Sequence, residues 1–180
     1  MNERETVKTE KETVVNDAET LAAKRREAVK TVKTYMWLAT GASLIPVPWV
    51  DLAAVAGVDL KMLADISKTY GVPYRANYGK AAIASFVGFV LPHAMSYGAL
   101  GSLLKAIPGV GALSGPPAMA AFCAAYTWAL GMVFVEHFES GGTFLSLHPD
   151  EVKEYFRAQF TEGRKVATTL GRDKKTEVPA

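Results

Sequence analysis

The stretch from Ala81 to Val135 carries a single formal charge, that of Lys105, although charged residues are frequent on both sides of it. It contains two apolar runs, at about 81–104 and 117–138, joined by a turn rich in glycine and proline. At 1.5 Å per residue, each run is long enough as a helix to cross the roughly 30 Å of hydrocarbon in a bilayer. We therefore predict a central hydrophobic helical hairpin that is inserted in a membrane.

The tip of this hairpin is predicted at 106–117, where Ile107 and Pro108 are followed by Gly109 and Gly111. Proline fixes a corner of the chain, and glycine permits backbone geometries that other residues avoid. The spacing matches neither a P-loop nor a dinucleotide fingerprint, and no suitably placed Lys-Ser/Thr pair follows it. The pattern therefore indicates a tight or re-entrant turn rather than a nucleotide site.

Pro92 and His93 interrupt the first arm near its middle. Proline predicts a kink, which a membrane helix tolerates when its neighbours satisfy the freed carbonyl. A histidine at membrane depth is a candidate functional group. The same ring could instead donate to the carbonyl that Pro92 leaves unpaired, so both interpretations stay open.

A helix break precedes the hairpin, at Ile45, Pro46, Val47 and Pro48. Neither proline has a backbone N–H to donate, and each restricts the residue before it. Pro48 suits the first turn of a helix, which we predict to end at Tyr70 before a left-handed Gly71. The predicted apolar stripe of this helix comprises Leu52, Ala56, Leu60, Leu63, Ile66 and Tyr70.

Asp59 lies inside this apolar arc, between the directions of Ile66 and Leu52 at 100° per residue. A carboxylate there must be hydrogen-bonded, paired or protonated, because an unpaired buried charge is very costly. Asp59 is therefore either a polar contact to a partner or ligand, or the partner of a local hydrogen bond to a neighbouring helix.

The flanking segments are predicted to be amphipathic helices with charged tails. The first helix begins near Asp17, and its basic cluster at 24–33 leads into an uncharged end that contains Trp37. This pattern is typical of a membrane interface, although a solvated face of a soluble bundle would look similar. The last helix begins near His148. We predict one domain at 17–170, between a disordered charged tail at 1–16 and a disordered basic tail at 171–180.

Composition excludes several classes of function. The chain has 180 residues and a formal net charge of +2, without a strongly basic face, which argues against nucleic-acid binding. Its one cysteine, Cys123, cannot form an internal disulfide. Glu136 and His137 are adjacent, but no HExxH motif or cysteine cluster accompanies them. We therefore predict no enzyme activity, no cofactor and no metal.

Taken together, these motifs resemble the YcjF-like domains of unknown function, DUF697. The resemblance covers about 32–160 and is carried by short motifs in a fixed order: Ile45, Pro46, Pro48 and Asp51; Met62, Tyr70 and Gly71; Ile107, Pro108, Gly109 and Gly111; and Gly131, Phe138 and Glu139. It implies a bacterial, largely helical, membrane-associated domain, often fused or adjacent to small GTPases, with no established catalytic residues. It also implies a polar residue where Asp59 stands. This chain has no GTP-binding motif, so any GTPase partner would be a separate polypeptide.

The fold class we predict is all-α: a helical bundle around the hydrophobic hairpin. The leading functional hypothesis is an anchor, scaffold or regulatory partner in the bacterial inner membrane, in contact with the lipid bilayer. Basic clusters at 24–33 and 164–175 place both termini in the cytoplasm by the positive-inside rule. Small residues along the first arm favour close helix packing, and a homo-oligomer is expected.

Two alternatives remain from the sequence. A soluble or reversibly inserting bundle would oligomerise or bind membranes through its glycine-rich hairpin. An enzyme or transporter would require Asp59, His93 and Glu136 to converge.

Overall fold

The computed structural model describes residues 3–42, 50–96 and 116–176, with side chains for 15–41, 54–90 and 120–167. The secondary structure in these ranges is entirely helical, as predicted. The five described helices are α1 (Glu3–Ala42), α2 (Val50–Tyr70), α3 (Ala76–Ser96), α4 (Pro116–Glu139) and α5 (Lys153–Thr176).

Helix α4 lies at the centre because its residues are apolar on every side. From Cys123 to Val135 every residue is buried, and α1, α2 and α5 all pack against it. Its Ala120–Glu139 segment is long and apolar enough to cross a membrane, but 83% of the apolar window is buried inside the protein. No other helix in the described ranges meets that criterion.

The contacts fix the directions of the three central helices. At one end, Ala39 of α1, Val55 of α2 and Cys123 of α4 form a small apolar cluster. At the other end, Arg25 of α1 and Glu139 of α4 form an ion pair. Helix α1 is therefore antiparallel to α4. Helix α2 is parallel to α4, because Tyr70 at its end donates a hydrogen bond to Glu139.

Helices α3 and α5 close the bundle through aromatic side chains. The rings of Phe86 and Phe156 stack with centroids 4.6 Å apart, and Tyr126 meets Phe156 edge-on at 5.7 Å. The hydroxyl of Tyr126 donates to the Ile83 carbonyl at 2.9 Å. Phe156 and Phe160 therefore supply the face of α5 that covers the core, and Val152 packs against the core just before the helix begins.

Helix boundaries match the prediction at some ends and differ at others. Helix α2 ends at Tyr70, and Gly71 has the expected left-handed φ of 71°. Helix α1 begins at Glu3, well before the predicted Asp17, since its first residues are mostly good helix formers such as Glu, Lys and Arg. Helix α5 begins at Lys153, after a turn at 149–152, and continues to Thr176. The division into a domain at 17–170 with two tails stays a prediction.

Candidate functional site

Asp59 lies in the middle of the buried face of α2. That face consists of Val55, Asp59, Met62, Leu63, Ile66 and Ser67. The buried face of α2 differs from the predicted apolar stripe, since Ala56 and Leu60 are only half-buried. Helix α2 packs against both α1 and α4, and the buried face is therefore centred closer to Asp59.

The Asp59 carboxyl group makes one hydrogen bond to a neighbouring helix. Its side chain is only 1% exposed, and the Thr127 hydroxyl of α4 donates to its Oδ1 at 2.8 Å. Its other oxygen, Oδ2, is buried and has no hydrogen-bond partner in the described part of the chain. One of the two hydrogen-bonding oxygens of a fully buried carboxyl group is therefore unsatisfied.

Burial raises the pKa of Asp59 from its ordinary 3.8 to about 7, although the hydrogen bond from Thr127 acts to lower it. The ionised carboxylate is disfavoured, because the free energy lost with its hydration exceeds the free energy gained from one hydrogen bond with Thr127. The carboxyl group can therefore take up and release a proton near neutral pH. A protonated Oδ2 would also become a hydrogen-bond donor.

The surroundings of Asp59 are apolar. One turn before it, Val55 joins the Ala39–Cys123 cluster. One turn after it, Met62 lies where a Cβ on Gly131 would meet its Sδ at 3.2 Å. Among the described residues, no three of His, Cys, Asp and Glu converge as metal ligands. The arrangement is thus suited to holding a proton within the helix interface.

A second polar group joins three helices at the opposite end of α4. Arg25 of α1 contacts the carboxylates of Glu136, at 3.2 Å, and of Glu139. The hydroxyl of Tyr70 on α2 donates to Glu139 Oε1 at 2.9 Å. Burial and the adjacent Glu139 carboxylate raise the pKa of Tyr70, so its phenol stays a donor. This network was not predicted from the sequence, although an arginine on the buried side of α1 was a signal for it.

His137 has a structural position beside this network. Its Nε2 lies 2.9 Å from the carbonyl oxygen of Thr143 and 3.2 Å from Ser146 Oγ. The ring therefore attaches the loop after α4 to the helix end. Glu136 faces Arg25 instead, so the adjacent pair does not form a joint site.

Asp59 and Glu136 do not converge. Asp59 is level with Thr127, and Glu136 lies nine residues further along α4, about 13 Å at the helical rise of 1.5 Å per residue. The enzyme or transporter hypothesis requires Asp59, His93 and Glu136 to converge. Its requirement that Asp59 meets Glu136 is therefore wrong. The side chains of Pro92, His93 and Asp51, and all of Ile45, Pro46, Pro48, Ile107, Pro108, Gly109 and Gly111, lie outside the described ones.

Comparisons with known proteins relate this chain to a protein family and to a named relative. The family model "Domain of unknown function (DUF697)" matches residues 11–165. A relative in Magnetospirillum gryphiswaldense, named magnetosome membrane protein 22, is 36% identical over 143 residues, which cover 79% of this chain and 73% of the relative. No solved structure matches. The helical bundle, the ordered motifs and these similarities together establish that the chain belongs to the DUF697 family.

Proposed function

We propose that this chain is a membrane-associated anchor, scaffold or regulatory partner that performs no catalysis of its own. The observation that carries the proposal is helix α4, which carries no charged residue from Pro116 to Val135 and whose apolar end lies beside the uncharged end of α1 at Ala39. Residues 34–50 and 81–104 carry no Asp, Glu, Lys or Arg. The charge-free ends of α1 and α4 lie together, and such a surface is suited to contact with lipid.

The relative's name supports a location at a membrane. That protein is named a magnetosome membrane protein. By analogy, we propose that this chain also works as a component of a membrane, here the bacterial inner membrane. Its basic clusters at 24–33 and 164–175 favour two cytoplasmic termini and thus an even number of crossings.

A second candidate function is reversible docking of a folded bundle on the membrane. The burial of α4 favours this function, because 83% of the apolar segment of α4 that could span a membrane is buried inside the protein. If α4 crosses the bilayer, its neighbours must cross with it and present apolar side chains to lipid. Helix α1 offers such side chains after Lys33, since Trp37 is 37% exposed and Leu38 is 52% exposed.

A separate GTPase and a second copy of this chain are the partners we propose. Neither requires a catalytic group on this chain, which instead would supply a membrane position for the assembly. Affinity purification from detergent-solubilised membranes, after crosslinking in cells, would identify the partner. Recovery of the chain alone and monomeric would contradict the scaffold role.

Topology is tested by labelling cysteines placed at Lys8 and Lys174 in a Cys123→Ala background. Both termini should react with an impermeant reagent only after the cytoplasmic side is opened. Labelling of one terminus from outside would mean an odd number of crossings and would contradict the hairpin.

A further inference from the structure

A strip of basic and aromatic side chains runs along the exposed side of α1. Its members are Arg26, Lys30, Lys33 and Trp37, which follow one another at spacings of four, three and four residues. At 100° per residue they fall within a sector of about 60°, so they form one line along the helix. The three basic residues are exposed, and Trp37 is 37% exposed.

The opposite side of α1 packs into the core. Ala28, Val32, Met36 and Ala39 are at most 1% exposed. A Cβ on Gly131 would lie 2.6 Å from Val32 Cγ2, so α1 packs closely against α4 along this line. The basic strip is therefore held rigidly outward by the packing behind it.

Within the described part of the chain, no acidic side chain neutralises the positive charge of the strip. None of Arg26, Lys30 and Lys33 has an ion pair in the described part of the chain. Glu27, three residues before Lys30, is the nearest acidic residue along the helix, and the structure shows no ion pair between these two side chains. After Lys33, α1 carries no charge up to its end at Ala42.

We propose that the strip of Arg26, Lys30, Lys33 and Trp37 binds the headgroups of anionic lipids at the membrane surface. The inference rests on the membrane association proposed above and names the surface that makes the contact. Unpaired basic side chains complement phosphate groups, and their alkyl stems can lie along the acyl boundary. Tryptophan prefers the headgroup level, and it stands here at the uncharged end of the strip.

The first test removes the charge of the strip. The full-length variant Arg26→Gln/Lys30→Gln/Lys33→Gln is compared with Lys68→Gln/Arg75→Gln/Lys80→Gln, which removes three exposed charges from α2, α3 and the loop between them. Each protein is purified in detergent and diluted into suspensions of vesicles of phosphatidylglycerol and phosphatidylcholine, or of phosphatidylcholine alone, and the bound fraction is measured by flotation. Each basic residue at an anionic surface contributes about fivefold, so the strip variant should bind anionic vesicles roughly a hundredfold more weakly. The control should lose much less.

A second test keeps every charge and measures the depth of Trp37. Quenching by brominated lipids is recorded for the wild type and for Trp37→Phe in the same anionic vesicles. The difference between the two isolates the quenching of Trp37 from that of Trp49 and Trp128. We expect strong quenching by bromine near the headgroup and weaker quenching by bromine at the chain end.

Equal losses in the two triple variants would overturn the inference, as would a Trp37 that brominated lipid does not quench. A strip that instead captures an acidic protein and leaves vesicle binding unchanged would also overturn it. In these cases the wild type still binds vesicles, and the proposed membrane role stands. A wild type that binds no vesicle would contradict both.

Discussion

Asp59 is the residue whose chemistry is most altered by the fold. Its carboxyl group is buried where α2 meets α4, and among the described residues one hydroxyl donor satisfies one of its two oxygens. The sequence placed Asp59 inside an apolar arc, so its need for a hydrogen bond or a proton was predictable. The identity of the donor was not, because Thr127 is 68 residues away and its side chain meets Asp59 only through helix packing.

The raised pKa of Asp59 predicts how stability depends on pH. The folded state holds the proton more tightly than the unfolded chain, because the pKa rises from 3.8 to about 7 on folding. Its favourable contribution is therefore complete below about pH 4 and is lost as pH rises through 7. Above pH 7 the wild type should lack on the order of 2–4 kcal/mol that it has in acid.

Asp59→Asn keeps an acceptor for Thr127 and cannot ionise. Its free energy of unfolding should vary little between pH 4 and 8, and should exceed that of the wild type at pH 8. Asp65→Asn is the control, because Lys61, Tyr35 and Lys68 overcome burial to lower the pKa of Asp65 to about 2. That substitution should destabilise the protein at neutral pH. Parallel pH profiles for the wild type and Asp59→Asn would show that Asp59 does not control this dependence.

At the scale of helices, glycine allows close approach at particular positions on α4 and α5. A Cβ on Gly163 of α5 would lie 3.0 Å from the Ala125 carbonyl oxygen and 2.9 Å from Trp128 Cβ. Backbone atoms cannot yield as the end of a flexible side chain can. The α4–α5 interface therefore requires a glycine at this position.

Gly163→Ala should lower the free energy of unfolding by about 1–3 kcal/mol, because overpacking forces the two helices apart. Gly88→Ala is the matched control within a helix, since nothing lies within 4 Å of a Cβ there. The control should be neutral or stabilised by up to about 1 kcal/mol, as alanine favours helix more than glycine does. Thermal and urea unfolding in mild detergent measure both. Equal effects at the two positions would mean that the α4–α5 contact is looser than described.

Helix ends were more predictable than helix faces. Gly71 and Gly141 both have left-handed φ values, 71° and 80°; Gly71 directly follows the predicted end of α2, and Gly141 lies three residues after the predicted end of the second arm. Such ends depend on local chain geometry, which a sequence contains. The buried face of α2 depends on which two helices flank it, and the outward strip of α1 depends on α4. Those contacts join residues far apart in the chain, so periodicity alone could not assign them.

At the scale of the whole molecule, α1 and α4 each have one charged and one uncharged end, whereas α5 carries Glu162, Arg164 and Lys165 beside the uncharged end of α4. Arg25, Tyr70, Glu136 and Glu139 connect three helices at the charged end. The Ala39–Val55–Cys123 cluster marks the other end. This polarity was predicted for the hairpin and extends to α1, whose last charged residue is Lys33.

Arg25→Gln should destabilise the bundle by about 1–2 kcal/mol, because it leaves Glu136 and Glu139 facing each other without a cation. Arg26→Gln is the neighbouring control, since Arg26 is exposed and has no ion pair among the described residues. It should leave the melting temperature unchanged. A similar melting temperature for the two variants would show that the charged end does not hold the helices together.

We propose that the charge-free parts of α1 and α4 lie in a membrane. Extraction of membranes with alkaline carbonate tests this proposal, because carbonate releases proteins held only by surface charge. We expect the chain to stay in the membrane pellet and to need detergent for its release. Recovery of a folded monomer in the supernatant without detergent would contradict insertion and leave reversible docking as the function.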